Sequence, residues 1–267
     1  MLIQKEIIQR VKDKCIQDQS VSSCMMYGSF TKGEGDQYSD VEFYIFIDDH
    51  RIDHFSSKDW ISAISPIELL FYNEYGTEVV VFTNMIRGEF HFLPESQMDI
   101  IKSFKPTGAF PNVESMYMYD STNRLIPLLE YISGAGPERM TNENVNFAFN
   151  NFVNAWLFGV NVLKRGEFAR SLEILSQVQK FILQLIRVNE RTVERWLNST
   201  KNLENDISAD FYNDYAATTA SLHEEEIKNA YYNALKLFGK LHDLLARSYQ
   251  IEVKKELIAK LYCYHKE

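Results

Sequence analysis

Tyr27-Gly28-Ser29 is followed, ten residues later, by Asp40-Val41-Glu42-Phe43. Val41, Phe43, Ile45 and Ile47 alternate, which places them on one face of a strand and turns Asp40 and Glu42 together onto the other. Two carboxylates held side by side repel, and one is driven to take a proton unless a cation sits between them. Mg²⁺ suits such a pair, because it takes hard oxygen ligands and is typically held by one or two carboxylates plus substrate phosphates. Upstream, Cys24-Met25-Met26-Tyr27 reads as a buried strand running into the Gly28-Ser29 turn. A glycine there lets the backbone approach a ligand closely, and Ser29 offers a hydroxyl and an amide to a phosphate oxygen. The plain alternative is that Asp40 and Glu42 are the solvent face of an edge strand. The Gly-Ser turn weighs against it, as does the polar loop TKGEGDQYSD that returns the chain to the same sheet. A Walker-type phosphate loop is excluded, since GSFTKGEG lacks the Gly-Lys-Ser/Thr ending.

The elements that must position these groups follow from the run of the chain. Between Cys24 and Leu93 lie short segments rich in aromatic and β-branched residues: CMMY, DVEFYIFI, IELLFYN, EVVVFT and EFHFL. Each has strand length and is bounded by Gly, Asn, Asp or Pro. Ile3, Ile7, Ile8, Val11 and Cys15 lie on one helical stripe, and Ser56-Ser57 can cap a helix through Ile64. After Pro94 the strands are expected to stop, and residues 95–133 read as helices and turns. Gly134-Ala135-Gly136-Pro137 is the expected linker. Beyond it come helical patterns over 143–164, 168–188, 207–221 and 223–248, with shorter ones at 191–197 and 252–262. Leu172, Leu175, Val178, Ile182, Leu185 and Ile186 recur at spacings of three or four and must pack against sister helices. The expected class is α+β: a catalytic domain with a mixed β-sheet over 1–133, then an α-helical bundle over 134–267.

Composition bounds the function. The chain has 267 residues, of which 45% are hydrophobic and 24% charged, ample for packed cores rather than disorder. Residues 1–140 carry 21 acidic and 12 basic side chains, whereas the remainder is balanced. An acidic first half repels a polyphosphate backbone, so no nucleic-acid partner is expected. The amino-terminal stretch interrupts its apolar residues with charge, and no window approaches a membrane span. Cys15, Cys24 and Cys263 read as buried thiols in a reducing compartment, so the expected location is the cytoplasm.

The pattern Tyr-Gly-Ser, ten residues, Asp-Val-Glu-Phe resembles the signature of the nucleotidyltransferase superfamily with the polymerase-β-like fold. Ser39-Asp40 matches the usual Ser-Asp, while Lys32-Gly33 stands where many members have Arg-Gly. Residues 1–95 carry the match. The whole chain, with its helical half, is similar to the antibiotic-modifying branch and within it to the lincosamide nucleotidyltransferases. The resemblance implies Mg²⁺-dependent transfer of a nucleoside monophosphate from a triphosphate, ATP or alternatively GTP, to a hydroxyl of a lincosamide such as lincomycin or clindamycin. It also implies a third carboxylate on a later strand, with Glu68, Glu78 and Glu89 as candidates. In GEFHFL, Glu89 shares a face with His91 while Phe90 and Phe92 turn to the core. The resemblance, in which the third acid commonly lies on the strand reached after this connection, makes Glu89 the choice for general base and third metal ligand. Asp40 and Glu42 are then the metal pair, and Gly28, Ser29 and Lys32 bind phosphate. Lys164 and Arg170 are the helical half's candidate cations, with a solvated helix-end turn as the alternative.

Trp156, Tyr231 and Tyr232 are candidates for the acceptor pocket, although at helical spacing such residues are more often core. Dimers are common in this branch, so a homodimer is expected. Other acceptors stay open: an aminoglycoside, or a protein adenylylated by a toxin–antitoxin nucleotidyltransferase. A silent scaffold is disfavoured by the intact Asp40 and Glu42.

Overall fold

Ile3–Gln17 (α1) leads into Val21–Tyr27 (β1), Val41–Ile47 (β2), Ser57–Ser62 (α2), Ile67–Tyr72 (β3), Glu78–Phe82 (β4) and Arg87–Pro94 (β5) in a computed structural model that describes residues 2–266. A 3-10 stretch over Glu95–Thr107, Val113–Met116 (α3), Tyr117–Asp120 (β6) and Leu125–Ile132 (α4) complete the first of two compact units, residues 1–137. The sheet runs β3-β4-β5-β2-β1-β6, with β2 and β5 parallel and every other neighbouring pair antiparallel. It is a mixed sheet, as the run of strands and helices leads one to expect.

Alternation along the strands sorts side chains between two cores. Val41, Phe43, Ile45, Val80, Phe82 and Phe90 face α1 and α2, where Ile7, Val11, Trp60 and Ile61 cover them. On the other face Met25 and Phe46 pack under Met98, Ile101, Met116, Leu125 and Leu129. Helix α2 begins where Ser56 accepts a hydrogen bond from the Asp59 amide, the capping that the Ser-Ser pair announces.

Two expectations for this unit need correction. Strand structure does not end at Pro94: β6 pairs antiparallel with β1, and its Tyr-Met-Tyr-Asp run is too short for periodicity to separate it from a turn. Ile3 is exposed at the first turn of α1 instead of joining the stripe, and Gln4 is buried, holding the carbonyls of Gln37 and Ser39. Gly134 donates its amide to the Phe110 carbonyl across an isolated bridge, and the first unit ends at Pro137.

The second unit, residues 138–267, is helical. It comprises Asn142–Lys164 (α5), Phe168–Glu190 (α6), Leu203–Asp206 (α7), Ala209–Ala216 (α8), Glu224–Leu245 (α9) and Lys255–Lys266 (α10). The pattern over 207–221 is cut short: α8 stops at Ala216, and the hydroxyls of Thr218 and Thr219 turn back onto the carbonyls of Tyr215 and Ala216. Leu175, Val178, Ile182, Leu185 and Ile186 of α6 are buried in the core it shares with α5 and α9. Phe152 stacks on Phe238 at 4.0 Å between centroids. Gly159 admits the Tyr231 ring, since a Cβ there would lie 1.9 Å from the phenol oxygen. Asn142, Asn146 and Asn150, one turn apart on α5, bind the segment 250–252 through its main chain and the Glu252 carboxylate. Cys263 is exposed, against the expectation of three buried thiols, because it lies on the outer side of α10.

Candidate active site

Asp40 closes the loop ahead of β2, and Glu42 follows on the strand. Their side chains share the sheet face of Tyr44 and Phe46, opposite the buried Val41, Phe43 and Ile45. Parallel pairing aligns Glu42 with Glu89 of β5, so both carboxylates rise from adjacent positions on one face. Antiparallel pairing aligns Glu42 with Tyr27 on the other side. The β5 pairing therefore sets Glu89 beside Glu42, the β1 pairing sets Tyr27 on the other side, and Asp40 precedes the paired residues by one position.

Gly28 bends the chain out of β1 with φ +82°, a left-handed conformation that disfavours any side chain. A Cβ on Gly28 would lie 1.4 Å from Glu42 Oε2, so the glycine also clears the space the carboxylate occupies. Ser29–Lys32 then form one 3-10 turn, closed by the Thr31 hydroxyl on the Gly28 carbonyl and the Glu34 amide on the Ser29 carbonyl. The Ser29 Oγ is shielded from solvent and finds no hydrogen-bond partner among the described residues. An orphaned hydroxyl at a glycine turn beside a carboxylate is the feature a phosphate oxygen would complete. Lys32 is exposed at the end of that turn.

Arg87, two residues before Glu89 on the same face, is the residue sequence reasoning missed. Its Nη1 donates to Asp40 Oδ2 at 2.6 Å and its Nη2 donates to Glu89 Oε1. Burial works against its charge, and the hydrogen bonds and charges of Glu89 and Asp40 outweigh that and hold the guanidinium above its ordinary pKa. The signal was present: Arg-Gly-Glu in a strand puts Arg87 and Glu89 on one face.

Behind Glu89 stands a short hydrogen-bonded chain. The Tyr27 hydroxyl lies 3.1 Å from Glu89 Oε2 and 3.1 Å from His91 Nε2. With one proton to give, it donates to the carboxylate and accepts from the imidazole. Burial, with the charges of Glu42 and Glu89, drives the phenol pKa far up, so Tyr27 stays protonated as a donor. Burial lowers that of His91 and outweighs the pull of Glu89. Tyr44 stacks on the His91 ring at 4.1 Å, nearly coplanar, and fixes its plane. His91 thus supports Glu89 through Tyr27.

The remaining candidates are placed elsewhere. Glu68 is exposed on the edge strand β3. Glu78 is buried on the α2 side, where the Ser57 hydroxyl donates to it at 2.7 Å. Lys164 and Arg170 have partners inside the helical unit: Lys164 donates to the Tyr264 carbonyl and lies over its ring, and Arg170 pairs with Glu167 beside Phe158. Trp156 and Tyr231 are core, joined by the indole N–H on the Tyr231 carbonyl, while Tyr232 is partly exposed.

Among the described residues, no three His, Cys, Asp or Glu side chains are gathered closely enough to grip a metal ion. The donor chemistry nonetheless fits a hard cation: Asp40 and Glu42 offer carboxylate oxygens from one strand face, and a guanidinium already lies between Asp40 and Glu89. No helix among the described residues is long and apolar enough to cross a membrane.

Similarity to known proteins is confined to two kinds. No curated protein matches the chain. Among solved structures, an aminoglycoside 6-adenyltransferase from Bacillus subtilis aligns at 11% identity over 98% of this chain and 96% of its own, with a TM-score of 0.44. A nucleotidyltransferase-like protein from Exiguobacterium sibiricum aligns at 13% identity over 87% and 73%, with a TM-score of 0.37. Residues 141–264 match the model of the family described as lincosamide nucleotidyltransferase-like, C-terminal domain. That stretch runs from the cap of α5 into α10. The helical unit of this chain is thus similar to the C-terminal domain of the lincosamide nucleotidyltransferase-like proteins.

Proposed function

We propose that the chain transfers AMP from ATP to a hydroxyl of a lincosamide antibiotic, inactivating it in the cytoplasm. The observation that carries this reading is the alignment of Asp40, Glu42 and Glu89 on one sheet face, ahead of a helical unit similar to the C-terminal domain of lincosamide nucleotidyltransferase-like proteins. In the reaction the acceptor oxygen attacks the α-phosphorus in line. A new O–P bond forms, the bond to pyrophosphate breaks, and the hydroxyl proton passes to Glu89. Asp40 and Glu42 would hold Mg²⁺, which when bound neutralises phosphate charge. The Gly28 turn, the Ser29 hydroxyl and Lys32 would receive phosphate oxygens. Arg87 supplies a planar fork suited to phosphate once it leaves the carboxylates.

The test is mass spectrometry of clindamycin, kanamycin and a protein lysate after incubation with the chain, Mg²⁺ and ATP or GTP. A mass increase of one AMP on clindamycin alone is expected. Labelling of kanamycin alone, or of a lysate protein alone, would replace the acceptor and keep the chemistry. No labelling with either nucleotide would overturn the reading.

A further inference from the structure

The sheet face that carries the carboxylates continues sideways across the buried Val79 and half-buried Val81 to apolar side chains of the edge strand that face solvent. Val79 of β4 is the cross-strand partner of Glu89, and Val81 that of Arg87. On the edge strand β3, Phe71 pairs with Val79 and Leu69 with Val81. Cross-strand partners project to the same side, so Leu69, Phe71, Val79 and Val81 share the face of Arg87 and Glu89. The neighbours Leu70 and Val80 turn to the α1–α2 core. Leu69 is 52% exposed and Phe71 42%, an open apolar edge on a strand whose other side is packed. Strands lie about 4.8 Å apart, so Phe71 stands roughly 10 Å to the side of Glu89.

We propose that Leu69 and Phe71, floored by Val79 and Val81, form the apolar half of the acceptor site. This rests on the transferase reading above. A molecule that presents a hydroxyl to Glu89 and is about 10 Å long reaches this strip when it lies across β4. The acceptor class that fits is therefore a hydroxylated ring joined to an apolar substituent, rather than a molecule polar throughout. A second protein is the poorer occupant. One aromatic side chain buries about 150–250 Å², so two exposed side chains fall well short of the roughly 800 Å² per partner of a stable interface.

The experiment measures binding of clindamycin, the apolar-substituted probe, to the full-length chain by calorimetry, with AMP transfer and light scattering followed in parallel. Phe71→Ser and Leu69→Ser are each expected to weaken clindamycin binding by about tenfold or more, with the KM for ATP unchanged. Phe71→Tyr, which keeps the ring, should bind nearly as the wild type does. Unchanged clindamycin affinity in both serine variants would overturn the subsite while leaving the transferase reading intact. A halved solution mass in Phe71→Ser would assign the strip to a chain–chain interface and overturn it too. Clindamycin bound but never adenylylated by the wild type would sink the transferase reading alone.

Discussion

Glu89 and Arg87 are bonded to each other across one face of β5, and that fixes what single substitutions should do. Glu89→Gln keeps shape and hydrogen bonding but cannot take the acceptor proton. A positioned base is typically worth about 10²–10⁴-fold, so kcat should fall by that order in steady-state assays with KM for the antibiotic little changed. Rescue by raised Mg²⁺ would mark Glu89 as a metal ligand instead. Tyr27→Phe removes the hydroxyl that joins Glu89 to His91 without disturbing the stacked Tyr44–His91 pair. It should lower kcat by about tenfold, less than loss of the base itself, because it acts only by orienting the carboxylate. A kcat loss equal to that of Glu89→Gln would show that Tyr27 does more than orient. Arg87→Ala releases Asp40 and Glu89 from their counter-charge. It should tighten Mn²⁺ binding, read by electron paramagnetic resonance without nucleotide, and at the same time lower kcat.

At the scale of elements, the phosphate turn and the helix packing each hang on one residue. Gly28 needs its left-handed φ and its bare Cα beneath Glu42, so Gly28→Ala strains the turn by about 1–2 kcal/mol and displaces the carboxylate. Activity should be lost while circular dichroism stays that of the native fold. In the helical unit the fully buried Arg187 of α6 gathers the segment 192–206. It donates to the carbonyls of Thr192, Ser199 and Lys201 and to Asp206 at 3.0 Å. Burial alone would raise the Asp206 pKa, but hydrogen bonds from Arg187, Asn202 and Arg195 outweigh it and hold the carboxyl below its ordinary value. A depressed folded pKa means the contribution is complete above the unfolded pKa of about 4 and disappears as pH falls through the folded one. Thermal melts should show acid destabilisation below about pH 4 that Asp206→Asn reduces. Arg187→Met, which takes one of its donors from Asp206 and the Arg187 donors from three carbonyls, should cost about 3–5 kcal/mol. What was legible here was periodicity: the α6 stripe and the alternation in β2 name their buried faces without any tertiary knowledge. Arg187 was not legible, because a lone arginine inside a helical stripe gains its meaning only from carbonyls 5 to 14 residues away.

For the whole molecule, alternation within a strand makes legible which side chains share a face, as it does for Glu42 with Tyr44 and for Glu89 with His91. It could not supply the strand order β4-β5-β2, and with it the lateral register that sets Val79 and Phe71 beside Glu89. Register between strands depends on long-range pairing, which no local pattern encodes. Assembly is the property next out in scale. Phe147 and Phe158 of α5 are 52% and 45% exposed, unlike the buried Phe149 and Phe152. Eleven residues are close to three helical turns, so these two rings share one outward face about 16 Å apart. Two rings do not make an interface by themselves, but large aromatics left open on a helix of 23 residues are the kind of anchor around which a wider subunit contact forms. The chain is expected to be a homodimer through this face, with a mass in light scattering near twice the 31.2 kDa of one chain. Phe147→Lys combined with Phe158→Lys should return it to the mass of one chain without unfolding it, since neither ring is buried. A dimer that survives both substitutions would move the contact elsewhere, and a wild-type monomer with full activity would remove the dimer from the account.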